Sequence, residues 1–378
     1  MKGLKLKRLL SPFFIYSFIN FIAIIITLFN LFDFYEYSIL KRNIELPFIG
    51  VTMASLFLAF QLLCLWAFSK LKLKNLNIKF KLNNKIINII EYIIILISLY
   101  GFIKASKDVI FSILSINDIF LLLGGRLRKY ISWGKGYIFI SDLIIVPFAL
   151  SFSKTSKNYL FKRILTTLIL LGEGLIYMSR MRIFIVLISY LLFYLRKNQY
   201  KKFINRKFIF KASYIIMIIF AILIISFGAR GGAKSFNKEY SDIYKIAVYN
   251  FFDYYSTTII FTIFGLDLSN PKSFNQIQTE AGYNEQIMGY TNNGRYYQLF
   301  STYSLFTIFF IIVESYLVIY FWKKFDNGYE SGIILYPILF YNLLEGPRLD
   351  ILSIIDYAIP ILLLIIIILL KNDQKIFM

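Results

Sequence analysis

Apolar residues in this chain fall in long continuous runs, not in strict alternation or in a narrow helical stripe. Ten such runs can be marked, at 11–32, 46–68, 86–103, 136–152, 164–178, 183–195, 208–228, 304–322, 332–344 and 351–370. Most approach the roughly 20 residues that carry a helix across a hydrocarbon core. The predicted fold class is an all-α polytopic membrane protein of about ten transmembrane helices, with N and C termini cytosolic. It reads as one integral membrane domain over 1–378, with one large external loop, 229–303, inserted between transmembrane helices. The first run, Ser11 to Phe32, is long enough to span and lacks a small-residue cleavage site, so it is read as a spanning helix and not a signal peptide.

Three stretches strain this map. The runs 183–195 and 332–344 are short, and Ala247 to Leu266 is apolar enough to be an extra span. If 247–266 crossed the membrane, Lys323 and Lys324 would land outside. A re-entrant or interfacial helix is therefore expected there, carrying Asn250, Asp253, Ser256, Thr257 and Thr258 among aromatics.

Composition agrees with the pattern: 58% of residues are hydrophobic and 19% aromatic, beyond what a soluble core of 378 residues holds. The net charge of +21 would point to nucleic acid in a soluble protein. Here the lysines flank apolar runs, so topology explains them and no nucleic-acid partner is expected. Counted from a cytosolic N terminus, the inside loops hold 25 of the 42 basic residues, and 21 of those 25 are lysine. That is the positive-inside arrangement.

Arginine behaves differently, with eight of twelve on the opposite side. Its planar, permanently charged fork binds phosphate and carboxylate bidentately, so an external arginine group points to an anionic ligand. Arg180 and Arg182 stand in the short turn between two runs, Arg230 follows Gly228 at the end of another, and Arg348 sits in the turn Glu345-Gly346-Pro347-Arg348. These connections would hold guanidinium groups near one membrane level, where a lipid phosphate lies. Arg295 falls in the long loop and is less constrained.

The chain contains no histidine and a single cysteine, Cys64. Histidine bases, histidine metal sites, serine–histidine triads and disulfides are thereby excluded. No phosphate-binding glycine loop or Asp-x-Asp pair appears, so a nucleotide substrate is not expected. Carboxylates must carry any proton transfer. The long loop is rich in tyrosine and side-chain amides, among them Tyr283, Asn284, Gln286, Tyr290, Asn292, Tyr296 and Tyr297. Aromatic faces and paired amide groups suit sugar rings and their hydroxyls.

The size, the number of spans, the Ser179-Arg180 turn and the external loop opening at Arg230 resemble the Wzy-type O-antigen polymerases, or oligosaccharide repeat-unit polymerases. Tyr249 to Phe261, Gly289-Tyr290-Thr291-Asn292 and Tyr296-Tyr297 belong to the same resemblance. The resemblance implies a multi-pass enzyme of the bacterial inner membrane, active on the periplasmic or external side. It would join oligosaccharides carried on undecaprenyl pyrophosphate, with no cofactor and no metal, and would work beside a flippase and a chain-length regulator.

On this reading the pyrophosphate ligands are Arg180, Arg182, Arg230, Arg295 and Arg348, and the sugar-binding residues are Tyr290, Asn292, Tyr296 and Tyr297. Candidate bases are Asp253 and Glu345, followed by Glu280 and by Glu173, an acid inside a predicted span that could instead pair with Arg180 or Arg182. Two alternatives remain open: a flippase for the same lipid-linked oligosaccharide, and an O-antigen ligase-like transferase. Sparse intramembrane charge and the lack of internal repeats speak against the first, and the absence of histidine against the second.

Overall fold

The computed structural model describes residues 7–31, 46–72, 81–112, 131, 136–153, 157–177, 179–198, 258–269, 276, 294–347, 352, 354–371 and 373–376. They form helices α1 (Pro12–Leu31), α2 (Phe48–Lys70), α3 (Asn84–Ser112), α4 (Tyr137–Asp142), α5 (Ile145–Leu150), α6 (Tyr159–Ile176) and α7 (Arg180–Lys197). After these come α8 (Arg295–Tyr303), α9 (Phe306–Asp326), α10 (Glu330–Leu344) and α11 (Ile355–Leu370). A further helical stretch covers 258–265. Among the described residues the only extended pairing is an isolated bridge between Tyr329 and Lys375. The predicted span 208–228 lies outside the described residues.

Among the described residues, three helices are long and apolar enough to cross a membrane: Phe48–Lys70, Asn84–Phe111 and Phe306–Asp326. Four shorter apolar stretches stand beside them, at Pro12–Leu28, Tyr137–Leu150, Glu330–Leu344 and Tyr357–Leu370. Large apolar side chains cover the outside, including Phe21 on α1, Leu63 on α2, Leu96 and Phe111 on α3, Leu168 on α6 and Phe306 and Phe309 on α9. Gln61, Glu91, Glu173, Arg295, Glu314 and Asn342 are buried within. Water would penalise so large an apolar exterior, whereas lipid favours it and drives charge into the bundle. The chain is a membrane protein.

Two predicted elements differ in form. The run 136–152 is not one helix: it breaks at Leu143 and Ile144 into α4 and α5. Pro147 accounts for this, because its ring would clash with the carbonyl of residue 143 in a continuous helix and it has no N–H to donate. The run 86–103 is longer than its apolar pattern. Lys104, Lys107 and Asp108 end the run, yet they point outward while Ala105, Ser106 and Val109 stay buried, so α3 continues to Ser112.

Helix α10 explains how a short apolar run fits in a bilayer-sized bundle. Its 15 residues rise only about 22 Å, and every residue from Glu330 to Leu343 is buried. It packs against α9, α7, α1 and α11. A helix apolar on all sides belongs at the centre of a bundle. Gly332 lets it approach α9, since a Cβ there would collide with the backbone at Lys324 and Phe325.

One end of the bundle gathers basic helix termini. Lys323 donates to the carbonyls of Phe68 and Leu71 at the end of α2. Lys81 reaches the carbonyls of Leu369 and Lys371 at the end of α11, both at 3.2 Å. Lys371 bonds Glu330 at 2.7 Å and Ser153 at 2.8 Å, Lys324 pairs with Asp373 at 2.8 Å, and Lys7 pairs with Asp326. Arg196 donates to the Phe325 carbonyl at 3.0 Å. Cations at helix C-termini satisfy orphan carbonyls and oppose the negative end of the helix dipole.

Candidate functional site

Away from these termini the bundle encloses two polar networks built on arginine. The first centres on Glu314, halfway along α9. Arg295 opens α8 directly after Gly294, whose φ of 72° suits glycine and whose lack of a Cβ leaves room for Thr262 and the Thr258 carbonyl. This seats Arg295 inside the protein, with 0% of its surface exposed, and its Nη2 donates to Glu314 Oε2. Gln61 of α2 donates to the same oxygen at 3.1 Å, and Asn342 of α10 donates to Oε1 at 2.6 Å. Both carboxylate oxygens are thus held by donors from three other helices.

The network continues through Gln61. Its Oε1 lies 3.1 Å from the Tyr16 hydroxyl and 3.2 Å from that of Tyr296, and the two hydroxyls are also within hydrogen-bonding distance of each other, so their two protons are shared among three oxygens. The Arg295 guanidinium lies 5.5 Å from the centre of the Tyr16 ring. Five helices, α1, α2, α8, α9 and α10, therefore meet in one hydrogen-bonded cluster.

An apolar cleft of about 230 Å³ adjoins it. Its walls come from one side of α1 between Asn20 and Leu28, from Val51, Ala54 and Leu58 of α2, from Ile259, Thr262 and Ile263, from Tyr296 and from Pro347. The 258–265 helix is seated there because Gly50 has no side chain: a Cβ would meet the Ile263 carbonyl. Tyr296 belongs to both features, its ring to the cleft and its hydroxyl to the network.

The second network surrounds Arg182 in the first turn of α7. Its Nε and Nη2 lie 2.8 and 2.6 Å from Asp142 Oδ1 at the end of α4, and Nε lies 3.3 Å from Glu173 Oε2 of α6. The guanidinium stands 4.8 Å from the Tyr177 ring centre and 5.9 Å from that of Tyr357 on α11. Ser179 and Tyr357 bring their hydroxyl oxygens to 3.5 Å. All three charged side chains are buried.

Set against the residues chosen from sequence, the structure joins some and separates others. Arg182 and Glu173 are partners, which is the pairing considered for that intramembrane acid. Arg295 is not a loosely held loop residue but the buried start of a helix. Tyr297 lays its ring against Gly265, while its neighbour Tyr296 faces the cleft. Glu345 ends α10, is 8% exposed and accepts from the Tyr341 hydroxyl at 2.8 Å. The following Gly346 packs on the Tyr16 ring, so the 345–347 turn abuts the Glu314 cluster. Arg180 begins α7. Asp253, Glu280, Arg230, Arg348, Tyr290 and Asn292 lie outside the described residues.

Sequence reading passed over Glu314, Gln61, Asn342, Tyr16 and Asp142. The signal was present: Glu314 is the one acid of the run 304–322 and Gln61 the one amide of the run 46–68, where such a group must find an internal partner. Intramembrane charge is also less sparse than expected, with Glu91, Asp142, Glu173 and Glu314 all buried and each paired with a cation. No known protein family, curated protein or solved structure matches the chain.

Proposed function

We propose that this protein is a glycosyltransferase that joins undecaprenyl-pyrophosphate-linked oligosaccharide repeat units on the outer face of the bacterial inner membrane, making O-antigen or a related surface polysaccharide. The observation that carries this reading is the position of the apolar cleft. Thr262 and Tyr296 wall it, and they lie in the two segments that flank the tyrosine- and amide-rich stretch 267–293. A lipid-linked sugar has a hydrocarbon chain and a polar head, and an apolar cleft whose walls adjoin, along the chain, a tyrosine- and amide-rich segment matches those two chemistries.

In the reaction, a hydroxyl oxygen of the incoming unit attacks the anomeric carbon of the growing chain. The bond from that carbon to the pyrophosphate oxygen breaks, its electron pair leaves with the lipid pyrophosphate, and the hydroxyl proton passes to a carboxylate. Cations stabilise the charge that develops on the leaving group. Arg182 and Arg295 direct their forks to carboxylates, so direct pyrophosphate contacts fall to Arg180, Arg230 and Arg348, with Arg182 and Arg295 positioning their surroundings. Glu173 likewise serves Arg182. The base is then Glu345 or Asp253, with Glu280 next, and Tyr290, Asn292 and Tyr297 meet the sugars.

The buried ion pairs favour one second reading, a flippase, because paired charge inside a helix bundle also lines transport paths. Purified protein incubated in liposomes with lipid-pyrophosphate oligosaccharide separates the two. A ladder of lengthened products is expected; movement of the lipid across the bilayer without a new glycosidic bond would replace the polymerase with the flippase.

A further inference from the structure

The cleft beside Tyr296 has walls of unusual chemistry for a pocket that contains Asn20, Thr27 and Thr262. Each of these polar side chains turns back onto its own helix: Asn20 donates to the Tyr16 carbonyl at 2.8 Å, Thr27 to that of Ala23 at 2.8 Å, and Thr262 to that of Thr258 at 2.9 Å. The Tyr296 hydroxyl is engaged with Tyr16 and Gln61. Beyond the Asn20 amide oxygen and the Ser55 hydroxyl, what the walls leave for a ligand is methyl, methylene and ring surface. Such a lining suits hydrocarbon and offers little to a sugar or a phosphate.

Geometry narrows the occupant further. Along α1 the cleft runs from Asn20 to Leu28, about 12 Å of helix, and the Tyr296 ring forms part of its wall. Tyr296 is held on two sides, by a stacked contact with Phe57 at 5.7 Å and by its hydroxyl bonds. The residue before it is Arg295, bound to Glu314, and Gly294 stands at the end of the long loop. A chain lying in the cleft therefore presses on a side chain that connects, through Gln61, to the buried ion pair and, through the backbone, to the root of the loop.

We infer that this cleft holds the isoprenoid chain of the lipid-linked substrate, and that Tyr296 is the positioning residue tying an occupied cleft to the Arg295–Glu314 network; the inference rests on the polymerase reading above. The ring supplies contact surface for the chain. The hydroxyl transmits its position, so the two parts of one residue have separable effects.

The test uses the full-length protein purified into phosphatidylcholine nanodiscs and titrated with undecaprenyl phosphate or with phosphatidylglycerol, read by native mass spectrometry. Wild type is expected to retain undecaprenyl phosphate about tenfold more tightly than phosphatidylglycerol. Ala54→Trp, and independently Val51→Phe, fill the cleft and are expected to weaken that binding about tenfold, with circular dichroism and gel-filtration elution unchanged. Tyr296→Phe keeps the ring, so KM for lipid-linked oligosaccharide stays within about twofold while kcat falls about tenfold.

Equal retention of both lipids, or undecaprenyl phosphate binding untouched in both filled variants, overturns the cleft assignment. An unchanged kcat in Tyr296→Phe overturns the coupling. Selective binding lost on filling the cleft, in a protein that forms no polymer, removes the polymerase reading and leaves the cleft. A normal ladder from both filled variants does the reverse.

Discussion

One end of the bundle and its interior use positive charge in different ways. At the end, lysines reach across helix termini: Lys323 caps α2 and Lys81 caps α11 through backbone carbonyls. In the interior, arginines are enclosed with acids, Arg295 with Glu314 and Arg182 with Asp142 and Glu173. A lysine ammonium is a compact, strongly hydrated charge on a flexible stem, suited to a wet helix terminus. The arginine fork is more weakly hydrated and can serve two acceptors at once inside a bundle. A lysine that caps backbone carbonyls, such as Lys323 or Lys81, can be lost cheaply, whereas the arginine networks fix which helices meet.

Removing one side of a buried pair should therefore have the largest effect on stability. Arg295→Ala or Glu314→Ala leaves an uncompensated charge and is expected to destabilise the protein by about 3–5 kcal/mol, measured as loss of folded protein on heating in detergent. The combined Arg295→Met, Glu314→Leu replacement should recover part of that loss, since it removes the unpaired charge but leaves the Gln61 and Asn342 amides without their acceptor. A double variant as unstable as either single one would show that the network contributes more than charge neutralisation.

Arg182→Lys is expected to resemble Arg182→Ala more closely than wild type, because a single ammonium cannot reproduce the two-edged grip on Asp142 and Glu173. Thermal melts of the three proteins check the order. Smaller again is Gln61→Leu, which removes one bond to the Glu314 carboxylate and leaves two tyrosine hydroxyls without their amide acceptor; about 1.5–3 kcal/mol is expected. Lys323→Ala should fall below about 1 kcal/mol. A Lys323 effect as large as that at Arg295 would erase the contrast between helix terminus and interior.

Much of the helical layout was legible because lipid demands continuous apolar sequence, and α1, α2, α6, α7, α9, α10 and α11 each lie on a predicted run. Boundaries failed where another rule governs them. Pro147 split a run by its missing N–H and its ring, and outward-facing Lys104 and Lys107 hid the continuation of α3. The site was less legible for a different reason. Arg182 with Glu173 lay close enough in sequence to be considered together, but Gln61 and Glu314 are 253 residues apart, and Tyr16 and Tyr296 are 280 apart. Pairing over such separations is decided by packing. Helix α8 was masked in turn by composition: Arg295–Tyr303 is short and polar, yet it buries Arg295, Tyr296 and Leu299 on one side, a stripe too brief to stand out from the loop before it.

The proposed polymerase function, and the pyrophosphate role it gives to arginine and not to helix-capping lysine, is tested most directly by chain elongation in cells carrying matched charge removals. Arg180→Gln, Arg230→Gln and Arg348→Gln, taken singly, should abolish polymer while the protein remains inserted in the membrane at normal levels. Lys81→Gln and Lys323→Gln should leave polymer length unchanged. Polymer of normal length in all three arginine variants, or equal loss in the lysine variants, would contradict the proposed pyrophosphate-binding role of these arginines.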